Sequence, residues 1–218
     1  MKKIFKWLLI NFGVGLYAVR EQIAQATLPR FGNRPHDLKI GFPRNILGSE
    51  RIYIGNHVNL GRGCFLVAMT KYPDRKMESL AYPLPIQQFE SSISIGNRVT
   101  ATANLQIFAQ DSVTVEDDVM FASNVFINDG SHGYKNGNIP YKYQPIGNIA
   151  PITIKQGCWL GQGVVVMPGV TIGELSIIGA NSLVNKNIPS RSIAVGSPAT
   201  TIKRWNESSQ QWEPTHSL

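Results

Sequence analysis

The chain has 218 residues, enough for one domain with a hydrophobic core of its own. Charged residues make up 16% and hydrophobic residues 43%, with 20 Gly and 13 Pro, which excludes a disordered chain, a coiled coil and collagen. The formal net charge of +7 first suggests nucleic acid, an anionic membrane or another polyanion as partner.

The positive charge is concentrated near the N-terminus. Up to Arg51 the sequence holds nine basic and three acidic residues, and the rest of the chain is almost neutral. Because basic and aromatic residues are not interleaved through the body of the chain, no nucleic-acid partner is expected. Only two cysteines occur, Cys64 and Cys158, without a CxxC motif. They predict neither a disulfide framework nor a zinc site, and they favour a reduced, intracellular protein.

Residues 1–36 are predicted to form a basic N-terminal segment with an amphipathic helix over residues 1–28, since apolar residues recur there at helical spacing. The apolar stretch from Trp7 to Val19 is too short to cross a membrane. Three interpretations stay open: a secretory signal, a helix lying in an anionic membrane interface, and a helix that caps the fold. The last two are compatible with each other.

A repeat of six residues runs through the chain from residue 54 onward. An aliphatic or other apolar residue begins each unit, at Ile54, Leu60, Leu66, Ile95, Ala101, Ile107, Val115, Phe121, Ile127, Ile154, Leu160, Val166, Ile172, Ile178 and Val184. A small or β-branched residue usually follows four positions later, and both cysteines occupy this slot. Because six is even, both positions can face the same side of a strand. Three units would form one triangular coil, and stacked coils would place apolar residues above one another. The sequence therefore predicts an all-β fold, a parallel β-helix, although the period does not determine its handedness.

Two long segments interrupt the repeat, and we expect both to be loops extruded between coils. They cover residues 71–92 and 132–151, and a two-residue shift separates Ile107 from Val115. Long loops on a rigid repeat are where function is usually carried. The β-helix is expected over residues 37–189, followed by a C-terminal extension over 190–218. Within that extension, residues 206–218 look like a polar tail without recognisable structure.

Among the four histidines, His132 is the best candidate for chemistry. It stands between Gly130 and Gly133, where the second loop leaves the β-helix, and an imidazole there is suited to proton transfer near neutral pH. The alternative is a loop histidine hydrogen-bonded to its surroundings. His57 is expected at a solvent-facing corner, and His36 and His216 are expected to be solvated.

The repeat, the INDGSHGY junction, the run from ITIKQGCWLGQG to NKNIP and the closing AVGSPAT resemble the hexapeptide-repeat acyltransferases. The closest resemblance is to the maltose and galactoside O-acetyltransferases and to O-acetyltransferases of exopolysaccharide and O-antigen. The resemblance implies a left-handed β-helix, acetyl-CoA as co-substrate without a metal, a sugar or glycan acceptor, and a homotrimer with active sites between neighbouring chains.

The resemblance also implies roles for individual residues. His132 would be the general base, and Asn104 with Asp111 would hold the acceptor. Coenzyme A would be held by residues of the later coils and of the extension, namely Trp159, Gly161, Ala180, Asn185, Lys186, Lys203 and Arg204. The nearby Asp129 and a backbone carbonyl are both open as the group that orients the imidazole. The chain departs from the maltose branch at two places. It has a basic N-terminal helix instead of a small acidic module, and Thr200 stands where that branch often has a basic residue. Both departures leave the identity of the acceptor open.

The function implied is transfer of an acetyl group to a sugar hydroxyl during surface polysaccharide synthesis, in the cytoplasm or at the inner face of the membrane. Transfer to the amine of a nucleotide-linked amino sugar is the first alternative. A non-catalytic β-helix scaffold is another. A zinc-dependent hydratase on the same fold would need three histidines, and the repeat holds only His57 and His132.

Overall fold

The computed structural model describes residues 15–16, 18–73, 82 and 84–215. The predicted N-terminal helix lies partly outside the described residues, as does the middle of the 71–92 segment, and His216 lies outside them entirely. Residues 15–16 and 18–26 are helical, and 3-10 turns cover Ser49–Arg51 and Tyr141–Tyr143. Within the described residues, no helix is long and apolar enough to cross a membrane.

The rest of the fold is built from short strands. In chain order they are β1 Lys39–Ile40, β2 Arg44–Leu47, β3 Ile52–Ile54, β4 Asn59–Leu60, β5 Cys64–Ala68, β6 Lys71–Tyr72, β7 Gln87–Gln88, β8 Ser92–Ile95, β9 Thr100–Ala101, β10 Gln106–Ala109, β11 Ser112–Val115, β12 Met120–Phe121, β13 Phe126–Asn128, β14 Ser131–His132, β15 Ile146–Gly147, β16 Ile152–Ile154, β17 Trp159–Leu160, β18 Val165–Val166, β19 Thr171–Ile172, β20 Ile177–Ile178, β21 Leu183–Val184, β22 Ser192–Gly196, β23 Ala199–Asn206 and β24 Gln211–Pro214.

Three parallel sheets form the sides of the β-helix. Sheet I has the order β1-β4-β9-β12-β17-β20-β22, extended by the antiparallel strands β23 and β24. Sheet II has the order β2-β5-β10-β13-β18-β21, and sheet III has the order β3-β8-β11-β16-β19. The chain passes repeatedly from sheet III to sheet I to sheet II, so each turn of the chain is one triangular coil. The predicted parallel β-helix is confirmed.

The core is the inward face of the repeat. All fifteen residues that begin a hexad are buried, and so are the two cysteines in the later slot. The pairing places Ile54 beside Ile95 and Val115 beside Ile154, which is the predicted stacking of apolar residues. Burial raises the pKa of both cysteine thiols to about 11, so Cys64 and Cys158 stay protonated and pack in the core as small apolar side chains.

The C-terminal region differs from the expectation in two ways. Strand β22, placed in the extension by the sequence, still pairs in parallel with β20, and its Ala194 is fully buried. The prediction of an unstructured tail from residue 206 is wrong up to residue 215, because β24 pairs with β23 and Trp212 packs edge-on against Trp205. This hairpin lacks hexad spacing, so the repeat gave no signal for it.

The described part of the N-terminal helix covers the first coil. Ala24 is buried, and the Gln25 side chain donates a hydrogen bond to the Ile40 carbonyl at 3.3 Å. Arg44 donates to the Ala24 carbonyl, tying the helix to β2. The opposite helix face carries Leu16 and Ile23, each more than half exposed. One face therefore closes the end of the β-helix, and the other exposes apolar side chains.

Candidate active site

The candidate residues lie at the two edges of sheet II. We call the edge where its strands begin the I–II corner and the edge where they end the II–III corner. A strand of sheet II spans about five residues between the corners, which corresponds to roughly 16 Å at ~3.3 Å per residue. Side chains at the two corners of one chain are therefore too far apart to contact one small group together.

His132 lies at the II–III corner. Its strand β14 pairs with β15 in an antiparallel ribbon that leaves the β-helix after β13, with His132 opposite Ile146. The imidazole is exposed to solvent and lines a cavity of about 400 Å³ together with Gly133, Tyr134, Gln144 and Pro145. His132 thus lies where the ribbon leaves the β-helix, and the cavity provides space for a ligand beside it.

Asp129 secures the start of this loop. Its carboxylate is fully buried and accepts hydrogen bonds from the backbone N–H groups of Gln110 at 2.7 Å and Asp111 at 2.9 Å. Its backbone carbonyl accepts from the N–H of Ala150, where the loop returns. Burial raises the pKa of Asp129, while the backbone donors oppose that shift. Asp129 thus holds the base of the loop through the backbone, and no hydrogen bond joins its carboxylate to the imidazole.

Tyr72 is the side chain that contacts His132, and sequence reasoning missed it. Its hydroxyl oxygen lies 3.4 Å from Nδ1 of His132, and the two rings meet edge to face with centroids 5.4 Å apart. The hydroxyl also donates to the carbonyl of Lys142 at 3.1 Å. Tyr72 comes from the first extruded loop, sixty residues before His132 in the chain. Nothing in the repeat indicates that the two loops meet.

A second contact joins the same two loops. The side chain of Gln87 donates to the carbonyl of Ile146 at 3.1 Å and accepts from its N–H at 2.7 Å. Ile146 lies opposite His132 in the β14–β15 ribbon. The Gln87 amide bonds the outward backbone groups of Ile146 in the way that a third strand would. The first loop therefore braces the ribbon that carries the imidazole, through the strand opposite His132.

The residues expected to hold the pantetheine part of coenzyme A lie on sheet I and at the I–II corner. Trp159 stands on the outer face of sheet I with 44% of its surface exposed. Gly161 lies directly beneath Ala180, because a Cβ built on Gly161 would be 2.7 Å from the Ala180 nitrogen. Only glycine permits this close approach of the two backbones. Asn104 occupies the same corner on an earlier coil, exposed and with a left-handed φ of 54°, and it donates to Asn124 at 2.8 Å.

The remaining expected residues are divided between the corners and the C-terminal hairpin. Asp111, Asn185 and Lys186 are exposed at the II–III corner, on the same side as His132. Lys203 pairs with Ile193, which places it on the outer row of sheet I that also contains Trp159. Arg204, its neighbour in the strand, points to the opposite face and lines a separate cavity near Glu213. The structure thus brings Lys203 onto the row of the tryptophan and keeps Arg204 away from it.

His57 is far from this arrangement. Its Nδ1 lies 3.2 Å from a carboxylate oxygen of Asp37, and both side chains are more than half exposed. It lies at the corner between sheets III and I, where the left-handed φ of 60° turns the chain. Within the described residues, no three histidine, cysteine or acidic side chains lie close enough to hold a metal ion.

Comparison with known proteins agrees with the repeat. Residues 151–186 match the family model described as bacterial transferase hexapeptide, six repeats. These residues therefore carry the hexapeptide repeat that this model describes. WbbJ of Escherichia coli (strain K12), which is named as a lipopolysaccharide biosynthesis O-acetyl transferase, is 36% identical over 128 residues. That match covers 56% of this chain and 65% of WbbJ, so the chain spans slightly less than two thirds of this relative.

Two solved structures share the architecture of this hexapeptide-repeat chain. A galactoside acetyltransferase in complex with coenzyme A has a TM-score of 0.50 and 26% identity, covering 80% of this chain and 72% of that one. A mutant of AntD, an N-acyltransferase from Bacillus cereus in complex with dTDP and coenzyme A, has a TM-score of 0.63 and 18% identity. Its match covers 87% of this chain and 90% of AntD. The predicted left-handed β-helix and the resemblance to hexapeptide-repeat acyltransferases are confirmed.

Proposed function

We propose that this chain transfers the acetyl group of acetyl-CoA to a sugar hydroxyl, with His132 as general base, during synthesis of a surface polysaccharide. The observation that carries the proposal is the position of His132, exposed beside a cavity of about 400 Å³ on a hexapeptide-repeat scaffold. The similarity to WbbJ supports a glycan acceptor, and the likeness to a galactoside acetyltransferase bound to coenzyme A supports the donor.

The proposed reaction is one direct transfer. His132 accepts the proton of the sugar hydroxyl as its oxygen attacks the acetyl carbonyl, and a backbone N–H steadies the oxyanion. The C–S bond of the thioester breaks as the new C–O ester bond forms, and the proton on His132 passes to the departing thiolate. A sugar hydroxyl is too weakly acidic to lose its proton unaided near pH 7, so the base contributes an estimated 10²- to 10⁴-fold in rate.

We further propose that the active site forms between two chains of a homotrimer. Trp159, Gly161 and Ala180 lie on one side of sheet II and His132 lies on the other, roughly 16 Å away. If sheet II faces the centre of a trimer, the II–III corner of one chain meets the I–II corner of the next. The two halves of the site then face each other across the interface.

The outer face of sheet II is suited to such an interface. Phe65, Phe108 and Phe126 pack against one another on it, with Phe108 between the other two and ring centroids 5.4 Å and 5.6 Å apart. Val165 and Leu183 continue the apolar surface over the later coils. By contrast, the outer face of sheet III carries Ser94, Thr114, Thr153 and Thr171, a row typical of a solvent-facing surface.

We also propose that the N-terminal helix binds the cytoplasmic face of a membrane. Leu16, Val19 and Ile23 lie at helical spacing and are each more than half exposed, and basic residues predominate around them. Such a location suits an acceptor carried on a lipid. Replacing these three residues by serine should weaken sedimentation of the protein with vesicles containing anionic lipid and leave its thermal stability unchanged. Equal sedimentation of both proteins would refute this part of the proposal.

The proposed reaction is tested by measuring acceptor-dependent release of coenzyme A from acetyl-CoA with the purified full-length chain. The acceptors should include free sugars, nucleotide-linked sugars and amino sugars, and lipid-linked oligosaccharides. We expect an acetylated product whose acetyl group is released by mild alkali, as an ester requires. A product stable to alkali would instead identify an N-acetyltransferase. Failure to bind coenzyme A at all would identify a scaffold.

A further inference from the structure

The contact between Tyr72 and His132 restricts where the imidazole proton can be. A carbonyl oxygen only accepts hydrogen bonds, so the bond from Tyr72 to the Lys142 carbonyl at 3.1 Å uses the single proton of the phenol. The same hydroxyl oxygen lies 3.4 Å from Nδ1 of His132. In this second contact the oxygen can only accept a hydrogen bond. With the phenol proton directed at the Lys142 carbonyl, which is the shorter of the two contacts, Nδ1 is the donor toward the Tyr72 oxygen.

The other ring nitrogen is left with its lone pair. In a neutral imidazole, one nitrogen carries the proton and the other accepts. With Nδ1 protonated, Nε2 is the basic atom, and the structure gives Nε2 no hydrogen-bond partner within the described residues. Hydrogen bonding at one ring nitrogen is the usual way in which a protein selects the tautomer of a histidine.

We propose that Tyr72 is a positioning residue that holds His132 as the Nδ1–H tautomer, so that Nε2 receives the proton of the acceptor hydroxyl. This inference rests on the proposed role of His132 as general base. It also answers the question of which group orients the imidazole, because the carboxylate of Asp129 is engaged by the backbone of Gln110 and Asp111.

Neighbouring contacts hold the Tyr72 side chain in position and keep its hydroxyl protonated. Strand β6 holds it against β7, and Gln87 in β7 bonds both backbone groups of Ile146, opposite His132. The phenol and the imidazole are thus attached to one braced unit formed by both loops. Partial burial also raises the pKa of Tyr72, so the hydroxyl stays protonated at neutral pH and continues to bond the Lys142 carbonyl.

The test is nitrogen NMR of the His132 ring in the full-length protein labelled with ¹⁵N-histidine, at a pH where the ring is neutral. His132→Ala assigns the signals. We expect the wild-type ring to carry its proton on Nδ1 and Tyr72→Phe to shift the population toward Nε2–H. Tyr72→Phe keeps the aromatic contact and removes only the hydroxyl. Tyr141→Phe, in which an exposed tyrosine of the second loop loses its hydroxyl, is the matched control and should leave the spectrum unchanged.

Kinetics provide a second readout. Tyr72→Phe should lower kcat by roughly 3- to 30-fold, because a smaller fraction of rings has Nε2 free, while KM for acetyl-CoA stays within about two-fold. A wild-type ring protonated on Nε2, or a Tyr72→Phe ring with an unchanged tautomer, would overturn the inference. The tautomer is measured without turnover. An inactive protein with an Nδ1–H ring would therefore contradict the proposed function and leave the positioning contact established.

Discussion

The two corners of sheet II are built by different means. At the I–II corner, Gly161 and Ala180 belong to regular hexads and are held by backbone packing from coil to coil. At the II–III corner, His132 belongs to an extruded loop and is held by side chains from Tyr72, Gln87 and Asp129. The repeat itself therefore forms the surface proposed to bind coenzyme A, whereas the proposed base depends on insertions into the repeat.

The largest effect is expected from removing the imidazole at the II–III corner. His132→Ala should lower kcat by at least about 100-fold, because the acceptor hydroxyl loses its base. The exposed position of the ring means that the fold should keep its thermal unfolding temperature. Steady-state kinetics and thermal denaturation of the same preparation check both statements. Near-wild-type turnover would show that the II–III corner does not carry the chemistry.

The next effect concerns the backbone packing at the I–II corner. In Gly161→Ala, the new methyl group would lie 2.7 Å from the Ala180 nitrogen and 2.9 Å from the Ile178 oxygen. Both atoms are backbone, so the coils must separate, at a cost of roughly 1–3 kcal/mol in unfolding free energy. Urea denaturation measures this cost. Gly137→Ala is the control, since its added methyl group has no atom of the described residues within 4 Å apart from its own chain neighbours, and it should unfold like the wild type.

A comparable but more local effect is expected at the base of the His132 loop. Asp129→Asn replaces one carboxylate oxygen by an amide NH₂, which cannot accept the N–H of Gln110 or Asp111. One buried backbone donor is left without an acceptor, at a cost of roughly 1–3 kcal/mol. Hydrogen exchange should increase at residues 110–111 and across the loop, with the later coils unchanged. Equal hydrogen-exchange rates in mutant and wild type at these residues would show that the carboxylate does not hold the junction.

The difference between the two corners of sheet II also explains what could be predicted from the sequence. All fifteen residues that the hexad period identified are buried, because alternation along a strand and stacking between coils follow from spacing alone. Ile40 and Ala194 continue the same buried row at either end of the repeat, where the period was no longer recognisable. It also located His132 at a loop junction. The contact with Tyr72 could not be predicted, because two insertions of unrelated sequence meet outside the repeat. The β23–β24 hairpin was missed for a similar reason, since its cross-strand tryptophan pair has no counterpart in the hexads.

The division of the site between two chains can be tested by mixing two inactive variants. His132→Ala lacks the proposed base and retains the I–II corner. Ala180→Glu retains the proposed base and places a negative charge on the exposed surface that is expected to bind coenzyme A. If each site joins the II–III corner of one chain to the I–II corner of its neighbour, mixed trimers contain sites in which both halves are wild type. We predict that co-refolding the two inactive variants restores acetyl transfer to a substantial fraction of the wild-type rate. Mixed trimers that form and stay inactive would contradict the account.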